Sequence, residues 1–326
     1  MKKIFSVLIV LLTSQCILAQ AIVYPVKVGN KWGFIDASGK MVVKPQFETS
    51  EKFTEGFAPV KSGNMWGFSD ATGALIVNPQ FAEVKNFNGG LAAVRQANKW
   101  GFIDKSGKLV VETQFQEVGS FSEALAPVKI STSWAFIDLT GKIIINPQFN
   151  DAKEFSYGLA PVQIGLAWGY INPGARYVIN PQFEKANSFS EDLAAVRLNG
   201  KWGYIDKTGK LVIPYQFAEA CDFKGSLAAV RIGNKWGFIN KEGKYHLNPQ
   251  FEDAASDSQE DKNFSEGLAA VRVEGKWGYV DKSGAFQINP QFSTASAFQF
   301  GVASVRIDGK MAYIDKTGRI IWTQLN

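Results

Sequence analysis

Carboxylates lead the residues that could do chemistry, because they recur on a fixed step. Asp36, Asp70, Asp104, Asp138, Asp206 and Asp281 each stand four places after a Trp, Asp315 stands four after Met311, and Asn172 and Asn240 fill the place in two further copies. Calcium would be the chemistry to expect of such a series. A calcium ion takes six or more oxygens, usually from several carboxylates, and each of these places offers one. Asp and Asn are also the residues that close a turn with their own side chain, and that is the reading preferred here. Glu55, Glu123, Glu191 and Glu266 recur between the units. A carboxylate pair could serve hydrolysis, but a catalytic residue has no reason to appear in copy after copy. His246 is the single histidine, in a slot held elsewhere by Val42, Ile76 or Val110. Cys221 occupies a slot held by Lys85, Asn187 or Ser296. One histidine and no paired cysteines remove the nucleophile triads and most zinc sites. No catalytic residue, metal or cofactor is expected.

A second constellation is basic and aromatic. Five places before each Trp lies Lys27, Lys61, Arg95, Lys129, Arg197, Arg231 or Arg272, with Arg306 before Met311 and Gln163 breaking the row. Across a two-residue hairpin that cation faces the indole, which suggests cross-strand cation–π pairs. One reading is a ladder of sites for glycans or acidic chains. The preferred one is a core of indoles and phenyl rings with the aliphatic stem of Lys or Arg as a lid. The candidate binding residues are Arg95, Arg197, Arg231, Arg272 and Arg306, with Asp257, Glu260 and Asp261 in an acidic insertion.

These residues must be positioned by a repeated unit. The Trp-Gly series runs through Trp32, Trp66, Trp100, Trp134, Trp168, Trp202, Trp236 and Trp277 at steps of 34 residues, the last being 41. A further 34 reaches Met311-Ala312, so there are nine copies. A fixed period of this size marks a repeat architecture. In the Trp202 copy a β-rich run, Leu193 to Leu198, ends at Asn199-Gly200, the strongest short hairpin signal because both residues take positive φ. A second run, Lys201 to Ile205, ends in the turn Asp206-Lys-Thr-Gly209. A third, Lys210 to Ile213, is expected to stop at Pro214, which cannot donate to a ladder. The unit reads as a three-stranded antiparallel meander. The Gly that follows the Trp, with Ala135 and Ala312 as the only substitutes, lies opposite a Val, as Gly203 does Val196, and should let another backbone approach closely.

Eight links join the copies. Each carries Gln-Phe and then a second Phe, as Phe183 and Phe189 do. Sixteen such rings cannot all face water, so the links are structural joints. The array opens on a first-type strand and closes on a third-type strand, with no unit split between the chain ends. That phase favours an all-β tandem array of nine meanders in an open superhelical solenoid, with a closed propeller-like ring as the alternative. The one break in register, the seven extra residues within 253–262, is polar and acidic and reads as an exposed loop.

Lys2 and Lys3, the apolar run Ile4 to Leu12 and the small-residue site Ala19-Gln20-Ala21 read as a signal peptide over residues 1–21. The repeat array then fills 22–326, exported to the periplasm, the cell surface or the medium. Lipidation at Cys16 is disfavoured by the bulky Gln15 before it. No later segment has the length of a membrane helix. Losing Lys2 and Lys3 lowers the formal charge from +5 to +3, too little for a nucleic-acid binder.

The unit Gly-x-Lys-Trp-Gly-Phe/Tyr-Ile-Asp-Lys-Ser/Thr-Gly-Lys, followed by Asn-Pro-Gln-Phe and Phe-Ser-Glu-Gly-Leu-Ala-Ala-Val, resembles the WG-repeat family of bacterial proteins over essentially all of Ile22 to Asn326. The resemblance implies a β-rich tandem array, often exported, with no catalytic residues to carry over. The expected function is a non-enzymatic scaffold presenting an extended β surface to a protein partner, with a carbohydrate or cell-wall array as the alternative.

Overall fold

The computed structural model describes residues 22–254 and 263–324. The leader, Cys16, Asp257, Glu260 and Asp261 lie outside the described residues. The nine copies form nine antiparallel sheets, the blades of a β-propeller, numbered here one to nine in chain order. In blade six, Leu193–Leu198, Lys201–Asp206 and Leu211–Phe217 are the three long strands. Asn199 and Gly200 take φ of 49° and 75°, as an Asn-Gly hairpin turn demands. At the second turn the Gly209 amide donates to the Asp206 carbonyl at 2.9 Å, and Gly209 sits at φ 85°.

Two features differ from the meander read in the sequence. The link adds a fourth strand of two residues, Lys185–Ala186, pairing with Arg197 and Val196. Two alternating residues carry too little pattern to be seen. The third strand also passes through Pro214 instead of stopping. Trp202 pairs with Phe217 and Tyr204 with Ile213, so the third strand bulges between these partners. A bulged residue needs no ladder bond, so Pro is tolerated there. The bulge lies over the Gly that follows Trp. A Cβ on Gly169 would stand 2.6 Å from the carbonyl oxygen of Ile179 and from the nitrogen of Pro181. The expected close backbone approach is therefore the chain's own third strand.

The blades close into a ring, and the open solenoid is corrected to the closed alternative. Nine sheets stacked openly have eight joints. Here nine apolar clusters fill nine joints. The sixth joint sets Tyr204, Ile213, Phe217 and Phe223 against Ala228, Val230 and Ile239. The ninth sets Val302 and Tyr313 of the last blade against Tyr24, Val26 and Ile35 of the first. Each joint is a face-to-face contact of whole sheets, so no strand need be shared between the chain ends. Side chains of both facing sheets fill each joint, and their bulk sets the angle between neighbouring blades. A turn of about 40° per blade closes nine of them.

Candidate functional site

The cation row is in the expected register: Arg197 faces Trp202, Arg231 faces Trp236 and Arg272 faces Trp277. The short inner strand, or the link residue just before the inner pairing, supplies an acid on the other side, which the sequence reading did not anticipate. Arg95 bonds Glu83. Lys129 Nζ lies 2.6 Å from Glu117, Arg197 Nε 3.6 Å from Glu184 and Arg272 Nε 3.4 Å from Glu252. Arg231 Nε donates to Glu219 at 3.1 Å. Arg306 faces Thr294 and donates to the Gly309 carbonyl at 3.1 Å. The signal for these pairs was the Glu twelve or thirteen places before the cation (twenty across the insertion).

Lys61 does sit over Trp66, 5.8 Å from the ring centre. Two other lysines, Lys85 and Lys153, reach Trp100 and Trp168 from the links, at 5.6 and 5.4 Å. Their ammonium groups cross the joint to the carbonyls of Val118 and Ala186, at 2.6 and 2.8 Å. Burial holds the Lys153 ammonium below the usual lysine range, against the pull of Asp222 and Asp151. The indoles themselves lie in the joints. Trp236 is 4% exposed and Trp277 5%, while Trp32, Trp66 and Trp202 are half-buried. Indoles as buried as Trp236 and Trp277 offer little face for a sugar ring to stack upon.

The recurrent carboxylates have structural work. Asp206 Oδ1 accepts from the Thr208 amide and hydroxyl and from the Lys210 amide, at 2.9, 2.6 and 3.1 Å. The Thr208 hydroxyl is the main reason its carboxyl titrates below the ordinary range. Asp36, Asp104, Asp138 and Asp281 are held down likewise, each by the hydroxyl two residues on. The link glutamates cap the following link. Glu55, Glu123 and Glu266 accept from the amides of Gly90, Gly158 and Gly301 at 3.1, 3.0 and 2.9 Å. Glu191 accepts from Gly225 at 2.6 Å. Among the described residues no three His, Cys, Asp or Glu side chains converge as a metal site would require. His246 is an exposed strand residue whose Nε2 lies 2.6 Å from the Lys282 carbonyl oxygen. Cys221 is a half-buried thiol outside any disulfide, packed beside the seventh joint.

Two surfaces remain. Links from opposite sides of the ring line a central cavity of about 970 Å³, among them Glu51, Lys52, Asn86, Ser120 and Gln299. The place before the second link Phe is Lys52, Asn86, Ser120, Glu154, Ser188, Asp222, Asn263 or Ala297. Six residue types fill these eight places, and where Glu154 and Asn263 stand they accept from the Ser120 and Ala229 amides of the neighbouring copy, both at 2.9 Å, so this lining does not form one repeated site. Burial pushes the carboxyls of Glu51 and Asp222 up. The outer rim is the opposite case, because it repeats. The outermost strands expose Val42, Ile76, Ile144, Val178 and Val212 at 38–47%. Beside them Leu75, Ile143, Tyr177, Leu211, Tyr245, Phe286 and Ile320 are also open. An apolar belt therefore follows the third strands around the ring.

Comparison with known proteins bears on the repeat and the ring separately. A family model described as a WG containing repeat matches residues 32–66, 66–100, 100–131, 134–165, 168–202, 202–236, 236–277 and 277–310. No curated protein matches the sequence. A crystal structure of a eukaryotic initiation factor superposes with a TM-score of 0.66 at 10% identity, over 94% of this chain and 96% of that one. That likeness concerns the fold alone. Kluyveromyces lactis Hsv2p aligns at 10% identity with a TM-score of 0.45, over 75% of this chain and 96% of that one. The dihydro-heme d1 dehydrogenase NirN aligns at 11% identity with a TM-score of 0.45, over 93% and 72%. Scores at that level carry no argument. Among the described residues no helix is long and apolar enough to cross a membrane.

Proposed function

The chain belongs to the family of WG containing repeat proteins, and we propose that it is an exported, non-enzymatic ring scaffold that docks a protein partner on its outer belt. The observation that carries this reading is the repetition of exposed apolar pairs on the outermost strands, such as Ile143-Ile144 and Tyr177-Val178. Contiguous exposed apolar surface is costly in water unless something covers it. The outermost strand also has one edge without a ladder partner within its own sheet, which suits an extended surface for protein contact. Export rests on the leader-like residues 1–21. The absence of enzymatic activity is inferred from carboxylates committed to turns and link caps.

The test is capture of partners from the native cell envelope with the tagged chain, which on this reading is recovered there with Ile22 as its first residue. Ile144→Glu with Val178→Glu places two charges on the belt. These should reduce capture by about tenfold, roughly 1.4 kcal/mol of binding, and leave the unfolding midpoint close to the parent's. Capture undiminished by the pair, or a chain retained in the cytoplasm with its leader, would count against the proposal.

A further inference from the structure

Eight links serve nine joints, and the ninth joint, between the last blade and the first, has none among the described residues. Elsewhere the link does two things. Its short strand pairs with the inner edge of the following blade: the Glu184 amide donates to the Arg197 carbonyl, and in blade eight the Arg272 amide donates to the Asp253 carbonyl, at 2.9 and 2.8 Å. Its second Phe then enters the joint against the aromatic two places after the Trp, as Phe189 does against Tyr170 at 4.9 Å between ring centres.

The closing joint is patched by substitutions found nowhere else in the array. Tyr24 stands where the other copies have Ala, such as Ala58, Ala92 and Ala126. Its ring lies 5.7 Å from Tyr313, in the role of the missing Phe. The Tyr313 hydroxyl donates to the Pro25 carbonyl at 2.8 Å, a place where the Pro59 carbonyl accepts the Glu51 amide of a link. The patch is incomplete. A cavity of about 370 Å³ remains, walled by Tyr24, Pro25, Phe53, Phe300, Val302 and Tyr313. Phe300 stands where alternate links carry the capping glutamate and the others Gly89, Tyr157 and Gly225; it lies in the left-handed region at φ 51° and is 65% exposed at the rim. The first blade has three strands, and no described strand pairs with the inner edge of Val23–Val28, where Lys27 holds the place of Arg197 and Arg272.

We propose that this seam is a peptide-binding site: an extended segment of a partner protein adds as the missing short strand along Lys27 and sets an aromatic side chain, three residues further on, into the cavity beside Tyr24 and Phe300. The eight intramolecular joints are the template for that occupant. Strand addition takes affinity from main-chain hydrogen bonds and specificity from a side-chain pocket, and both elements are present. The site is separate from the outer belt and goes beyond that reading.

The probe is a synthetic link, the thirteen residues from Asn180 to Asp192, titrated calorimetrically into the full chain. Saturable binding is expected, weakened about tenfold or more by Phe189→Ala in the peptide or by N-methylation of its Glu184 amide, which would otherwise bond the Lys27 carbonyl. In the protein, Phe300→Ala removes one wall of the cavity and should weaken binding. Tyr24→Ala enlarges the cavity and should tighten it; if that variant does not fold, Phe300→Ala and the peptide analogues suffice. The belt variant Ile144→Glu/Val178→Glu should bind the peptide as the parent does, so failure here and failure of the belt are told apart. No saturable binding up to ~1 mM, as when residues before Ile22 already fill the edge, or binding indifferent to N-methylation, overturns the proposal.

Discussion

Gly39 tests ring closure more sharply than any other single residue. It lies in the second turn of blade one at φ 86°, and a Cβ placed there would stand 1.8 Å from the carbonyl oxygen of Ile321. Ile321 belongs to the last strand, Ile320–Thr323, so the clash exists only because blade nine meets blade one. Gly158 has the same backbone, φ 82°, and a Cβ there meets nothing within 4 Å. Gly158→Ala should therefore show the conformational cost alone, about 1–2 kcal/mol for a non-glycine residue in the left-handed region. Gly39→Ala adds displacement of a backbone carbonyl by more than an ångström. Overpacking of that kind costs about 1–3 kcal/mol more, for a total of roughly 2–5 kcal/mol. Gly73→Ala is intermediate, since its Cβ would meet the side chain of Val43 at 2.6 Å, and a side chain yields more cheaply than backbone. Urea unfolding followed by tryptophan fluorescence would rank the three. If Gly39→Ala is no more destabilised than Gly158→Ala, blade one does not touch blade nine and the ring is wrong.

Two further outcomes follow from the joints and the turns. Phe189→Ala removes a ring only 1% exposed and should destabilise by about 3–5 kcal/mol; a change in midpoint worth under ~1 kcal/mol would mean the links do not bear on the joints. Asp36, Asp104, Asp138, Asp206 and Asp281 titrate below the ordinary range when folded, so their contribution is present above the unfolded carboxyl value, about 4, and is lost as pH falls through the folded values. Replacing all five by Asn, already present as Asn172 and Asn240, should flatten the fall in urea midpoint between pH 7 and pH 3. An unchanged fall would remove the turns from the acid response.

Much of the blade was legible because it is local. Asn199-Gly200 fixes a hairpin, and the hairpin fixes which residue faces Trp202. Asp206 to Gly209 specifies its turn by atoms within four residues of one another. The period of 34 supplied the copy number, and the paired link phenylalanines told of their own burial. The fourth strand was harder, since Lys185–Ala186 is too short to show alternation. The passage through Pro214 was misread because a bulge relaxes the rule that proline ends a strand. At the candidate sites, Arg95, Arg197, Arg231 and Arg272 stand in the expected register opposite indoles and Arg306 opposite Met311, while the glutamate partners required knowing that the link folds back as a strand.

What the sequence determined alone is the module: its turns, its register and its buried faces, all set by contacts within one or two copies. What only the tertiary structure decided is closure. The angle between successive blades depends on how the side chains of two copies fill the joint between them, summed over nine joints, and no single copy states that sum. The closing contact of Tyr24 with Tyr313 joins residues at opposite ends of the array, and their departure from the repeat acquires meaning only once the ring has brought them together.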